Sequence, residues 1–235
     1  MTQAAGVAVA LLGAGALAVA IGRGPAGRSG IEDGLVSAVL AYERVLALLG
    51  MGLGAARQTG LPRWSSVVAV AVGIAAGIVG EADVANSTFV ANHLFLIALP
   101  GPAASIVAGL GLAAPLQAQK WILPCMAAVI GGLIGLAIGF AAPAGEMLGF
   151  STGATLGCLW IAATPALLLP PLRITWTRIL VQILGSWLIA IGVMLGAARL
   201  IPATRPPEPL PVPSPALPMP ATPPHHGADE LRQEP

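Results

Sequence analysis

Long apolar runs separated by short polar segments make up most of this chain. Seven of them reach or approach the roughly 20 residues that a helix needs to cross the hydrocarbon core of a bilayer. These runs cover residues 4–22, 34–56, 64–80, 88–114, 121–142, 147–169 and 179–200. Stretches such as 67–79 are apolar at every position, without the alternation of a membrane β-strand, so the pattern predicts helices.

The pattern predicts an all-α, polytopic membrane bundle of about seven transmembrane helices. Residues 1–22 are either the first membrane helix or a signal peptide, because small residues have cleavage-compatible spacing but no basic residue precedes the run. Residues 34–200 are predicted to form a six-helix bundle, bent at Pro100 and Pro102 in its long fourth run. Residues 201–235 are proline-rich and polar, which predicts a disordered tail.

Composition excludes a soluble fold, since 56% of the residues are hydrophobic, only 9% are charged and the mean hydropathy is +0.86. Soluble domains carry roughly 25% charged residues. The lipid bilayer is therefore the main partner. A net charge of +1 with scattered basic residues excludes a nucleic-acid surface. Cys125 and Cys158 lie apart in apolar runs, so neither a disulfide framework nor a zinc site is indicated.

Basic residues in the short loops predict the orientation. The loops after the second, fourth and sixth runs are basic and contain no acid, which predicts that they are cytoplasmic. Trp64, Trp121 and Trp176 lie at the same ends, as an interfacial aromatic belt would require. Arg199 and Arg205 count against this orientation. We expect a bacterial inner-membrane protein with an extracytoplasmic C-terminal tail.

Glycines spaced in fours predict tight helix packing, because a bare backbone permits close approach. The fifth and sixth runs carry the strongest pattern and are predicted to meet each other at Gly135 and Gly153. The predicted packing residues of these two runs are Gly131, Gly135, Gly139, Gly149, Gly153 and Gly157.

Glu43 and Arg44 are ionisable residues well inside a predicted span, where charge costs several kcal/mol. Such residues usually pair, face the bundle interior and act on a solute, although a pair that only fixes helix register is an equal alternative. Ser37, Tyr42 and His93 are weaker candidates. No catalytic constellation is present in the sequence, so we expect no enzyme activity, no cofactor and no metal site.

The segment Gly34-Leu35-Val36-Ser37-Ala38-Val39-Leu40-Ala41-Tyr42-Glu43-Arg44-Val45-Leu46-Ala47-Leu48-Leu49 resembles the opening helix of the HupE/UreJ family. Residues 77–80, 147–153 and 185–192 follow in similar order. The resemblance covers about residues 30–200. It implies six spans after a signal-like segment, and an accessory membrane protein that acts as a nickel or cobalt permease.

The departures from the family fall on its metal-binding positions. Its His-Pro pair is replaced by Ser37-Ala38 and its Asp-His pair by Glu43-Arg44. Its other histidine positions fall near Phe140, Ala142, Ala144 and Leu159. An arginine is always cationic and repels a metal ion, so the resemblance carries over the fold and leaves metal transport doubtful.

Two hypotheses follow from these observations. The first is a HupE/UreJ-like membrane protein that moves a small solute or acts as an accessory protein. The second is a membrane scaffold or accessory subunit that recruits a partner and transports nothing. A membrane-protein partner or a homo-oligomer is compatible with both.

Overall fold

The computed structural model describes residues 3–24, 27–58, 61–87, 97–168 and 175–200. Throughout these residues the regular structure is helical, without a β-strand, so the chain is the all-α membrane protein that its apolar runs predicted. The helices are α1 (Gln3–Gly22), α2 (Gly30–Leu40), α3 (Tyr42–Ala56), α4 (Leu61–Ala85), α5 (Pro100–Ala113), α6 (Leu116–Ala141), α7 (Met147–Leu168) and α8 (Thr175–Leu200). The predicted disordered tail, 201–235, lies outside the described residues.

Fewer helices qualify individually as spans than the seven that the runs predicted. Within the described residues α4, α6, α7 and α8 are long and apolar enough to cross a membrane, and α2 with α3 forms a fifth span if the bent pair is counted as one. The apolar helices Gly6–Gly22 and Pro100–Ala113 are shorter than a full span. Large apolar side chains such as Val72, Val79 and Met194 are exposed on the outer faces, as lipid-facing positions are.

Polar caps fix the ends of two helices. The Ser29 hydroxyl accepts from the N–H of Glu32 at 3.4 Å, and the Glu32 carboxylate accepts from the N–H of Ser29 at 2.9 Å. This reciprocal capping box begins α2. The Glu32 carboxylate also forms an ion pair with Arg23. Pro100 is the first residue of α5, a position where its missing N–H costs nothing. This helix therefore begins at the proline that the sequence had marked, and the earlier part of the run, 88–96, lies outside the described residues.

The glycine-rich faces of α6 and α7 do not meet each other, which corrects the predicted seam between Gly135 and Gly153. A Cβ on Gly135 would fall on the backbone of Ile74 in α4. A Cβ on Gly153 would fall on the backbone of Ile31 in α2. Four-residue glycine spacing marks a face that approaches another backbone, but it does not encode which helix is approached.

Each helix of that predicted pair packs on a helix with its own small-residue pattern. Gly131 lies against Gly73 of α4, since a Cβ on Gly131 would come within 3.1 Å of the Gly73 Cα. Gly139 leaves space for the Glu81 side chain. On α7, Gly149 lies against Gly30, and Gly157 against Ala38, of α2. The glycine faces of α6 and α7 therefore form separate seams, α4 with α6 and α2 with α7.

Two helix pairs within the bundle, the two halves of an internal repeat, resemble each other in sequence and in packing. Gly52-Leu53-Gly54 precedes Arg63-Trp64 by the same spacing with which Gly109-Leu110-Gly111 precedes Lys120-Trp121. In each half the cation lies over its tryptophan ring, at 5.9 Å for Arg63 and 5.7 Å for Lys120. The halves consist of α3 with α4 and of α5 with α6.

Matching helices of the two halves pack side by side in the same direction. Gly73 and Gly77 of α4 contact the backbone around Gly131 and Gly135 of α6 in the same order along both helices. Gly50 of α3 likewise lies against Ala108 of α5. Matching helices that run in the same direction are a feature of parallel internal repeats.

The first helix packs on α7 in the opposite direction. The indole Nε1 of Trp160 donates to the Val9 carbonyl oxygen at 3.1 Å, and the bare backbone of Gly13 leaves room for the ring. Gly6 lies against Leu167, one end of this contact. Whether the segment 1–22 is retained or cleaved stays an open prediction.

Candidate functional site

The second apolar run is interrupted at Ala41, which corrects the continuous helix predicted over 34–56. Ala41 has φ −78° and ψ 79°, and α2 and α3 meet there at 76°. The Ala41 N–H donates to the Ser37 carbonyl at 3.1 Å, while its own carbonyl accepts from the N–H groups of Arg44 and Val45. These bonds satisfy the backbone at the break.

Glu43 lies in the first turn of α3 and faces α5 and α8. A Cβ on Gly101 would come within 2.8 Å of the Glu43 Cγ and Oε1, so the absence of a side chain there makes space for the carboxylate. The Glu43 Oε2 is 4.0 Å from Nη2 of Arg199, with the two side chains 16% and 49% exposed. Glu43 is therefore paired at the rim of the bundle.

Arg44 points toward other helices. Only 8% of the residue is exposed, and its Nη2 donates to the Ala137 carbonyl oxygen of α6 at 2.9 Å. Its Nε and Nη1 are buried and have no hydrogen-bond partner. Adjacent helix positions diverge by about 100°, which separates this guanidinium from the Glu43 carboxylate.

The charges at the break are unequal. Two guanidinium groups, Arg44 and Arg199, are present for the one carboxylate of Glu43, and that carboxylate lies beside Arg199. The groups that act electrostatically on Arg44 are Cys158 of α7 and Glu43. A buried cation with two unbonded nitrogens is costly unless another group compensates it.

The other predicted candidates differ in burial and in their contacts with the break. Ser37 is half-buried and bonds to Ala41 through its carbonyl, whereas Tyr42 is 55% exposed. His93 lies outside the described residues. Sequence reasoning missed Ser105, whose fully buried hydroxyl donates to the Glu43 carbonyl at 3.0 Å. A single serine within an otherwise apolar helix was the signal that could have identified it.

The sequence had suggested a site near the middle of the bundle. The structure places it nearer one end. Ala137 is one turn before the end of α6, and Arg199 lies in the last turn of α8. The reason is the break itself, because α3 begins at Tyr42 and only its later residues continue to the opposite end. Glu43 and Arg44 thus lie about one turn inside the bundle.

Among the described residues, no group of three or more His, Cys, Asp or Glu side chains converges as a metal site would require. Comparison with known proteins adds no relative: no family model, no curated protein and no solved structure matches the chain. The residues around the break are therefore the basis for a functional proposal.

Proposed function

We propose that this protein is a membrane transporter of a small solute, HupE/UreJ-like in fold, and that the solute passes the break between α2 and α3. The observation that carries the proposal is the position of Glu43 and Arg44 at this break, directed toward different helices. Broken helices with ionisable groups mark the substrate sites of many secondary transporters.

The paired halves of the bundle support the same proposal. Substrate sites of transporters lie where internal repeats meet, and parallel repeats are one of the two common arrangements. Glu43 of the first half contacts Gly101 and Ser105 of the second, and Arg44 reaches Ala137 of the second. The candidate site therefore lies between the halves, where relative movement would open it.

A nickel or cobalt permease is not part of this proposal, despite the resemblance. These ions are held by neutral imidazoles and carboxylates, and a buried guanidinium without a counterion opposes their entry. We further propose that the protein resides in a bacterial inner membrane with residues 201–235 outside the cell. The alternative is a scaffold that recruits a partner through this tail, with Glu43 purely structural.

Charge movement across proteoliposomes on a solid-supported membrane tests the proposal. Acetate, nitrate, chloride, sodium, potassium, glycine, nickel and cobalt gradients are applied in turn to vesicles with and without the full-length protein. We expect a protein-dependent current for at least one solute, none for nickel or cobalt, and loss of the current in Glu43→Gln. Asp83→Asn, at an exposed acid near the end of α4, is the matched control and should retain it.

Protein-dependent nickel or cobalt current that disappears in Glu43→Gln would restore the permease assignment of the family. Currents absent for every solute, or equal in wild type and Glu43→Gln, would favour the scaffold.

A further inference from the structure

We propose that Arg44 is the binding site for a small monovalent oxoanion, of the carboxylate or nitrate class. This inference rests on the proposed function for its role in transport, but the binding itself is a separate property. Two features support it: a helix that begins at a break in the bundle, and an arginine residue only 8% exposed, whose Nε and Nη1 are buried without a hydrogen-bond partner.

The hydrogen-bonding capacity of Arg44 is mostly unused. A guanidinium has five N–H donors, and the Ala137 carbonyl takes one through Nη2. Nε and Nη1 retain theirs. Either of these N–H groups, together with the second N–H of Nη2, matches the two oxygens of a carboxylate or nitrate, and such charge-assisted pairs are about twice as strong as neutral hydrogen bonds. A single-centre ion such as chloride cannot use the fork in this way.

The local charge favours a monovalent ligand. Glu43, Arg44 and Arg199 together carry one excess positive charge, and the carboxylate lies at Arg199 rather than at Arg44. One negative charge therefore neutralises the cluster, whereas sulfate would leave an uncompensated negative charge in a low-dielectric region.

Access to Arg44 requires movement. Its Nε and Nη1 are closed off from solvent in this conformation. The break at Ala41 is the point where α2 can change direction without rupturing helical hydrogen bonds. Movement of α2 relative to α3 would expose the guanidinium and then enclose the bound ion.

Thermal unfolding of the full chain, followed by tryptophan fluorescence, tests the site. The protein is held in lipid-free dodecyl maltoside, and sodium acetate, nitrate, chloride or sulfate replaces fluoride, a single-centre ion, at constant ionic strength. We expect acetate and nitrate to raise the melting temperature saturably, with chloride and sulfate at least about tenfold weaker. Arg44→Met should abolish the shift, and Arg44→Lys should weaken binding about tenfold because a lysine cannot form the fork.

The matched control is Arg63→Met, which removes an arginine from the opposite end of the bundle and should keep the wild-type response. Arg44→Met should fold, because apolar replacements of buried charges are often neutral or stabilising. A readout without any variant is phenylglyoxal modification of Arg44, mapped by peptide mass spectrometry, which acetate should suppress in the wild type.

A response equal in wild type and Arg44→Met, chloride binding as tight as acetate binding, or no suppression of Arg44 modification by acetate would overturn the inference. Protection that appears only when phosphatidylglycerol is added would identify a lipid phosphate and also overturn it. Acetate binding without any current would leave the site standing and reject transport. An acetate current that is unchanged in Arg44→Met would support transport and reject Arg44 as the binding site.

Discussion

At the scale of single residues, one amide joins two helices of the second half. The Gln119 Nε2 donates to the carbonyls of Gly111 at 3.1 Å and Leu112 at 3.2 Å, and the side chain is fully buried. The last carbonyls of a helix have no partner within it. Gln119 of α6 therefore satisfies the end of α5 where no water reaches.

Gln119→Leu should lower the free energy of unfolding by about 1–3 kcal/mol, because it leaves buried carbonyls unsatisfied. Gln182→Leu is the matched control, since this side chain is exposed on α8 and should tolerate leucine within about 0.5 kcal/mol. Reversible unfolding in mixed micelles of dodecyl maltoside and dodecyl sulfate measures both. Equal effects of the two substitutions would contradict the capping role.

Sequence alone identified Glu43 and Arg44 because ionisable side chains are costly in an apolar run. It could not provide their surroundings. Gly101 and Ala137 contribute an empty space and a backbone carbonyl, which every residue of an apolar helix could offer. Arg199 was visible in the sequence, but only as a charge that contradicted the loop pattern, since its proximity to Glu43 depends on how α8 packs.

At the scale of elements, the start of α5 and the break at Ala41 differ in how they are encoded. Pro100 has no N–H to donate to a preceding turn, so a helix start at this residue was predictable from the sequence. Ala41 is among the best helix formers, and no glycine or proline adjoins it. Its break comes from tertiary packing, because α2 packs along α7 whereas α3 packs on both α7 and α5. Local sequence cannot report such a conflict.

The two glycine seams should behave independently. Gly135→Leu is expected to separate α6 from α4, and Gly153→Leu to separate α7 from α2, each lowering the free energy of unfolding by about 1–3 kcal/mol. Because the sites share no partner, the double variant should show the sum of the two effects. Gly80→Leu, in open space on α4, is the control.

The free energies of unfolding of the four variants, measured in the same mixed micelles, give the coupling energy between the two positions. A coupling energy well above 0.5 kcal/mol between positions 135 and 153 would indicate that α6 and α7 meet there after all.

At the scale of the whole molecule, the described acidic residues lie at one end of the bundle, where Arg23 and Arg199 pair with two of them. Arg63 and Lys120 begin the parallel helices α4 and α6 at the other end. Glu32 lies at the opposite end, because the start of α2 packs beside Glu146 and the start of α7. The end that carries Arg63 and Lys120 is the one expected in the cytoplasm.

This asymmetry predicts that the tail is extracytoplasmic. A cysteine placed at Ala228 in a cysteine-free background should react with an impermeant maleimide in intact spheroplasts, because α8 runs antiparallel to α5 and ends away from Arg63. A cysteine replacing Gln58, near the basic end, should react only after permeabilisation. The opposite pattern of labelling would invert the orientation.

Transport through the break between α2 and α3 requires the site to open to each side of the membrane in turn. Ser105→Cys, made with Cys125→Ser and Cys158→Ala, places a thiol beside Glu43 at a fully buried position. We measure its reaction with a membrane-impermeant methanethiosulfonate in right-side-out and in inside-out vesicles, with Ile134→Cys, fully buried on α6, as the unreactive control. We expect modification of the Ser105→Cys thiol from both sides, and modification from only one side or from neither would contradict transport through the break.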